Sequence, residues 1–267
     1  MRVTLIQTEV DGSLPMADRV AGVAAQVAAC TDADLVLLPE LWATGYFAFD
    51  DYAATAEPLD GPIVTALSAA ARTAGVTLHG GSIVERDDKA DPAALHNTSL
   101  LFDPSGALVH TYRKVHLFGY GSREQELLTP GDQVGAHGTL ALSTCYDLRF
   151  PELFRTQVDD GSQLFLVAAA WPAARAAHWQ LLLRARALEN QSYLLACNAA
   201  GRQGSVELSG RSAVVDPWGE VVAEAGTGAE TLTVELDPDL PLRARKEFPA
   251  LADRRLAFSG GPVSPPG

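Results

Sequence analysis

"STCYDLRFPELFR", residues 143–155, closes an apolar run that starts at "GTLAL" and sets Cys145 directly ahead of Asp147, Arg149 and a Phe-Pro step. The run reads as a strand, and the Pro-led stretch around 150–158 reads as a helix, so the cysteine stands where strand turns into helix. A thiol used only for packing needs no such company. At a strand end, with helix N–H groups just behind it, a thiol is placed for chemistry, because those donors can hold developing negative charge. The competing reading is the ordinary one, since free cysteine is usually buried and inert. Cys30, on an Ala-rich helix, and Cys197, inside a strand, fit the inert reading better.

Outward from this turn the alternation of elements continues. "RVTLIQTEV" is a first strand, 16–30 a helix, and "ADLVLLPEL" (33–41) a short buried strand ended by Pro39. Residues 60–75 start with Pro just inside a helix and finish on Gly. Strands follow at 76–85 and 97–103, then a "DPSG" turn leads into "ALVHTYRKVHLF". Beyond Cys145, 162–170 is a buried strand, 177–191 a strongly amphipathic helix, and 192–201 another strand. Two strands flank the turn "DPWG" within 212–226, and 230–237 adds one more. Continuous apolar strands outnumber strictly alternating ones, which implies sheets covered on both faces. The expected fold is one mixed α/β domain over 1–258, two sheets facing each other with helices outside. "SGGPVSPPG" (259–267) reads as a flexible tail.

Composition narrows the function. The 267 residues carry a formal net charge of -13, which argues against a nucleic-acid partner and against a polybasic membrane anchor. Three cysteines without CxxC spacing indicate neither a disulfide framework nor a zinc site. No apolar stretch nears the ~20 residues of a membrane helix, and the first residues lack a signal-peptide pattern. A cytoplasmic protein is expected, so the triplets at Asn97 and Asn190 are chance matches to a glycosylation site.

A nucleophilic Cys145 would need a base. Six histidines are available (His79, His96, His110, His116, His137 and His178), none in a local signature. Glu40, closing "LVLLPE", and Lys114, in "YRKVHLF", are charges at the ends of apolar segments, and each alone fits an exposed position equally well.

Taken together, "LLPELWATGY", "YRKVHLF" and "CYDLRFPELFR", in that order, resemble the three signature segments of the nitrilase, or carbon–nitrogen hydrolase, superfamily. The likeness runs over nearly the whole chain and includes "HNTSLLFDPSG", "HWQLLLRARALENQ" and "VVDPWGEVV". It implies a four-layer α-β-β-α sandwich, a Glu40–Lys114–Cys145 triad, no metal or organic cofactor, and assembly into a homodimer or larger homo-oligomer. It also implies a second glutamate in the loop before Cys145. Measured back from "PGD", the spacing usual in that superfamily implies Glu124 rather than Glu126.

In this reading Glu40 takes the thiol proton, Lys114 and the Tyr146 N–H hold the oxyanion, and Glu124 positions Lys114 or the attacking water. Asp147 and Arg149 are expected to brace the turn, with Arg149 paired to a buried carboxylate and the elbow thiol facing solvent. Tyr46, Tyr146 and Trp171 are expected to contact substrate. Tyr146-Asp147 replaces the Trp-Glu pair usual in true nitrilases, so the sequence is most similar to the omega-amidase branch. That implies a small amide, an omega-amide of a dicarboxylic (2-oxo) acid, whose acid end would call on a cation such as Arg175 or Arg202. The alternatives are an N-carbamoyl amino acid or amine hydrolase using the same triad, and a catalytically silent scaffold.

Overall fold

The structure is a computed structural model that describes residues 1–10, 12–90 and 94–255. The expected tail lies outside these residues. Two six-stranded sheets face each other. The first has the order β14-β1-β2-β3-β4-β5, formed by Glu230–Glu235, Arg2–Gln7, Leu35–Leu37, Thr77–Asp87, Ala94–Phe102 and Leu108–Arg113. The second has the order β13-β12-β9-β8-β7-β6, formed by Val221–Glu224, Ala213–Val215, Tyr193–Asn198, Leu164–Ala169, Leu140–Thr144 and Ala136–His137. A small hairpin, β10 (Arg202–Gln203) with β11 (Val206–Glu207), stands apart.

Strands β1, β2 and β3 run parallel, as do β7, β8 and β9, while the outer strands pair antiparallel. Helices α1 (Met16–Ala28) and α3 (Pro62–Ala74) cover the first sheet. Helices α5 (Pro151–Asp159) and α6 (Ala176–Asn190) cover the second. One-turn helices α2 (Tyr52–Thr55) and α4 (Glu124–Leu127) and the C-terminal α7 (Leu240–Glu247) complete the chain. The result is the four-layer sandwich.

The continuous apolar strands follow from this layering. In β2, Leu35 and Leu37 pack between the sheets, while Val36, like Leu38 just beyond, packs under α1 and α3. A strand covered on both faces has no position for a polar residue, so alternation disappears. β2 is shorter than its apolar run suggests: Pro39 cannot donate to the ladder and the chain leaves the sheet there. α6 also departs from expectation. It buries Trp179, Leu183 and Ala187 on one side but leaves Leu181 and Leu188 exposed on another, so it is apolar on two faces. α7 escaped the sequence reading because it buries only Pro241 and Ala244, too little for a visible apolar stripe.

Candidate active site

The parallel strands of both sheets deliver their carboxyl ends to one place, where ligand sites form in open α/β sheets. Glu40 lies just past β2, Cys145 just past β7, and Ala170 and Trp171 just past β8. Glu40 is held there by its neighbours. Leu41 adopts φ +44° and its N–H donates to Ser82 Oγ at 3.1 Å. The Trp42 indole donates to the Gly80 carbonyl at 2.9 Å. Gly81 has φ +66°, and a Cβ on it would come 2.0 Å from the Pro39 carbonyl oxygen, so only glycine lets the Glu40 loop lie against β3.

Cys145 opens a 3-10 turn, Cys145–Arg149, with φ +47°. That left-handed conformation costs a non-glycine residue about 1–2 kcal/mol and is held by what surrounds it. Asp147 supplies the restraint. Its Oδ2 accepts from Thr144 N–H at 2.8 Å and Tyr112 Oη at 2.8 Å, and its Oδ1 accepts the His116 N–H at 3.2 Å and lies 2.8 Å from His116 Nδ1.

Beneath the thiol lies a charged cluster with no solvent exposure. Lys114 Nζ donates to Glu40 Oε1 at 2.9 Å and to both Glu124 oxygens at 2.9 and 3.0 Å. Glu40 Oε2 accepts from the Ala170 N–H at 2.9 Å. Glu124 Oε2 also accepts from Phe118 N–H at 2.7 Å and Tyr46 Oη at 3.1 Å. Cys145 and Ala170 lie together in the wall of the cleft above this cluster, and the thiol is within electrostatic reach of the Glu40 carboxylate.

Burial raises the Glu40 carboxyl above the ordinary range; the Lys114 ammonium offsets part of this and Glu124 adds to it. Burial works against the Lys114 ammonium, but Glu124 and Glu40 outweigh it and keep the lysine charged. The Cys145 thiol is pushed well up, first by burial and then by Glu40. The resting sulfur therefore favours its protonated form and needs a base, and the Glu40 carboxylate, itself raised, acts on it electrostatically.

Above the cluster is a cleft lined by Tyr46, Phe118, Cys145, Tyr146, Arg149 and Trp171, with Phe47, Pro172 and Arg175 also in its wall. All three residues expected at the substrate are in its wall. Residues 2–245 match the carbon-nitrogen hydrolase family model. The chain belongs to the carbon–nitrogen hydrolase family.

Its relatives include a 2-oxoglutaramate amidase of Paenarthrobacter nicotinovorans, 39% identical over 261 residues that cover 95% of this chain and 89% of the relative. An omega-amidase of Saccharomyces cerevisiae is 36% identical over 84% of this chain and 82% of its own. Among solved structures, a Saccharomyces cerevisiae member of branch 10 of the nitrilase superfamily superposes with a TM-score of 0.86 at 33% identity, covering 96% of this chain and 97% of that one. A mutant of the amidase from Nesterenkonia sp., TM-score 0.82 at 29% identity and covering 96% of this chain and 94% of that one, shows covalent addition of the acetamide moiety of fluoroacetamide at its active-site cysteine.

Several expectations for this carbon–nitrogen hydrolase change. Arg149 is not paired with a buried carboxylate. Asp147 turns back into the elbow, whereas Arg149 points outward, its guanidinium 4.8 Å from the Trp171 ring and 5.9 Å from that of Tyr146. The thiol does not face solvent: Cys145 is 9% exposed. Arg202 lies on the separate hairpin, 3.6 Å from Glu207, and does not line the cleft, whereas Arg175 does, over Phe118 at 5.3 Å. Glu126 is exposed beside Arg123, leaving Glu124 as the glutamate in the cluster. Asn190 and Asn97 are both fully buried, which closes the glycosylation question. Asn97 was otherwise missed, and its Nδ2 donates to Glu40 Oε1 at 2.8 Å and Glu124 Oε1 at 3.0 Å. The only sign of it in sequence is a polar residue at the start of an apolar strand.

Proposed function

We propose that this protein is a cysteine-dependent amidase that hydrolyses the terminal amide of a small dicarboxylic acid monoamide, a 2-oxo acid omega-amide, and releases ammonia. One observation carries the reading: a cleft with Cys145 over the Glu40–Lys114–Glu124 cluster at its floor and two guanidiniums, Arg149 and Arg175, at its mouth. Among the described residues neither arginine has a carboxylate partner; the hydrogen bond of the Arg149 side chain is to His178 Nδ1 at 3.4 Å. An amide at the thiol with a carboxylate at the other end of a short chain satisfies both ends. The relatives named 2-oxoglutaramate amidase and omega-amidase support the same choice.

The chemistry runs as follows. Glu40 accepts the thiol proton as Cys145 Sγ bonds to the amide carbon, and the carbonyl electron pair moves to oxygen. Lys114 Nζ and the Tyr146 N–H stabilise that oxyanion in a site shielded from water, where a fixed cation acts strongly. Collapse breaks the C–N bond, Glu40 returns its proton to nitrogen, and ammonia leaves a thioester. Water, deprotonated by Glu40, attacks the thioester, and the second collapse releases the acid and restores the thiol. Glu124 keeps Lys114 aimed.

The working unit is a homodimer or larger homo-oligomer. Leu181 and Leu188, seven residues apart on α6, share one exposed face, and the Trp218–Gly219 turn lies beside Leu188. Arg184 and Glu220 border this patch, so a second copy related by a two-fold axis would meet both apolar surface and opposite charge. Sedimentation at micromolar concentration should show the oligomer, and Leu188→Glu should dissociate it. The three unpaired cysteines favour a reducing cytoplasm.

The deciding experiment incubates the protein with omega-amides, N-carbamoyl amino acids and nitriles while ammonia and carbon dioxide are measured. Ammonia alone from omega-amides is expected. Carbon dioxide alongside ammonia would transfer the assignment to carbamoyl hydrolysis, and no turnover with an inert thiol would make the protein a scaffold.

A further inference from the structure

Glu40, Lys114 and Glu124 together carry one more negative than positive charge, all out of solvent. Asn97 is the neutral group that meets this excess. It sits in β4, fully buried, and its backbone carbonyl accepts from the Lys114 N–H at 2.8 Å. The same residue therefore holds the Lys114 main chain and, through Nδ2, both carboxylates. The orientation of its amide is dictated by chemistry: carboxylates only accept, so the NH2 end must face them. A planar NH2 offers two diverging hydrogens, one for Glu40 Oε1 and one for Glu124 Oε1. A hydroxyl could serve only one of them.

The two oxygens of Glu40 consequently differ. Oε1 already takes Lys114 Nζ and Asn97 Nδ2, whereas among the described residues Oε2 takes only the N–H of Ala170, a residue that lines the cleft together with Cys145. We propose that Asn97 is a positioning residue of the thiol chemistry, its amide locking Glu40 and Glu124 against Lys114 so that Glu40 Oε2 is the atom that takes the Cys145 proton. This rests on the reading of Glu40 as base for Cys145 and does not depend on which amide is the substrate. Asn97 acts through Glu40 and touches neither thiol nor substrate.

The test measures, on the full chain, the pH dependence of Cys145 alkylation by iodoacetamide, read by intact mass, beside kcat and KM for an omega-amide. Asn97→Leu keeps the branched four-atom side chain and removes both donors; Asn97→Asp keeps the shape and adds a like charge. Losing donors to a carboxylate raises its basicity, so the acid limb of alkylation should move up by about one pH unit in the Leu variant and further in the Asp variant. The kcat of the Leu variant should fall by about 100-fold while KM changes little.

A parent-like alkylation profile with parent kcat in a folded Asn97→Leu protein would overturn the proposal. If both variants fail to fold, the parent labelled with 15N-asparagine decides. All three asparagine side chains are buried, so the readout is the pH response: the pair assigned to Asn97 should shift along the alkylation limb while those of Asn190 and Asn198 stay put, and no such shift would equally overturn the proposal. Should the alkylation profile shift as expected while no amide is turned over, the amidase assignment falls and the role of Asn97 stands.

Discussion

The floor and the mouth of the cleft hold their charges in opposite ways. At the floor, Glu40, Lys114 and Glu124 are fully buried and the charged atoms are engaged by one another, by Asn97 and by backbone N–H groups. At the mouth, Arg149 and Arg175 rest on the rings of Trp171 and Phe118, with no carboxylate partner among the described residues. A buried ion pair stripped of one partner is strongly destabilising, so the floor is set before any ligand arrives. In the proposed function the carboxylate of the substrate completes the mouth. In the proposed enzyme the floor does chemistry and the mouth does selection.

That division can be broken by substitution, and the largest effect is expected at the sulfur. Cys145→Ala should reduce ammonia release by at least about 10⁴-fold, as removal of a nucleophile does, while costing about 1 kcal/mol or less of stability because little volume is lost. Residual turnover near the parent rate would separate the cleft from the chemistry. Next comes Lys114→Met, which leaves Glu40 and Glu124 facing each other. Chemical denaturation should show a loss of about 3–5 kcal/mol. A parent-like denaturation midpoint would mean that the floor charges are not coupled as the geometry shows.

The mouth should respond differently. Arg149→Leu and Arg175→Leu should each weaken an anionic omega-amide by about 1.5–3 kcal/mol, seen in KM and kcat/KM, with denaturation midpoints unmoved. A neutral amide of similar size should hardly notice either change. If both variants lose kcat and stability together, the mouth belongs to the floor and the comparison fails.

The smallest effect sharpens the contrast from outside the cleft. His79 in β3 is fully buried, neither ring nitrogen has a hydrogen-bond partner among the described residues, and burial lowers its pKa to about 3. The native imidazole thus stays neutral while the unfolded one takes a proton near its ordinary value of 6.5. Its contribution is present above 6.5 and is lost as pH falls from 6.5 toward 3, by at most about 1.4 kcal/mol per pH unit. Urea midpoints at pH 7 and pH 5 should diverge in the parent and draw together in His79→Leu.

How much of this was legible in the sequence depends on whether the cause was local. The layers were readable because double coverage leaves its mark within each strand, as in Leu35–Leu38. The stop of β2 at Pro39 was readable too; its span, Leu35–Leu37, was not, because the apolar run continues through Leu38 and Leu41. Glu40, Lys114 and Cys145 drew attention only through the motifs around them; taken singly, each had an ordinary explanation. Their meeting with Glu124 is a product of tertiary packing, in which the chain leaving β2, the residue after β5 and the turn after β7 converge across the two sheets.

Asn97 illustrates the same limit more sharply. Its partners come from the loop after β2, from the end of β5 and from α4, so its triplet looked like a chance sugar-attachment match. Arg149 was misjudged for the opposite reason. Two residues of opposite charge almost adjacent in sequence suggest a pair, but the 3-10 turn opened by the positive φ of Cys145 sends Asp147 inward and Arg149 to the cleft mouth.

The central claim is that Cys145 carries the acyl group during turnover. Mixing the protein with an omega-amide, quenching within the first turnover, and measuring ammonia together with the intact mass tests it directly. The account predicts a burst of ammonia matched by an acyl adduct that maps to the peptide bearing Cys145 and decays to the free acid. Steady ammonia release with no adduct, undiminished in Cys145→Ala, would contradict it.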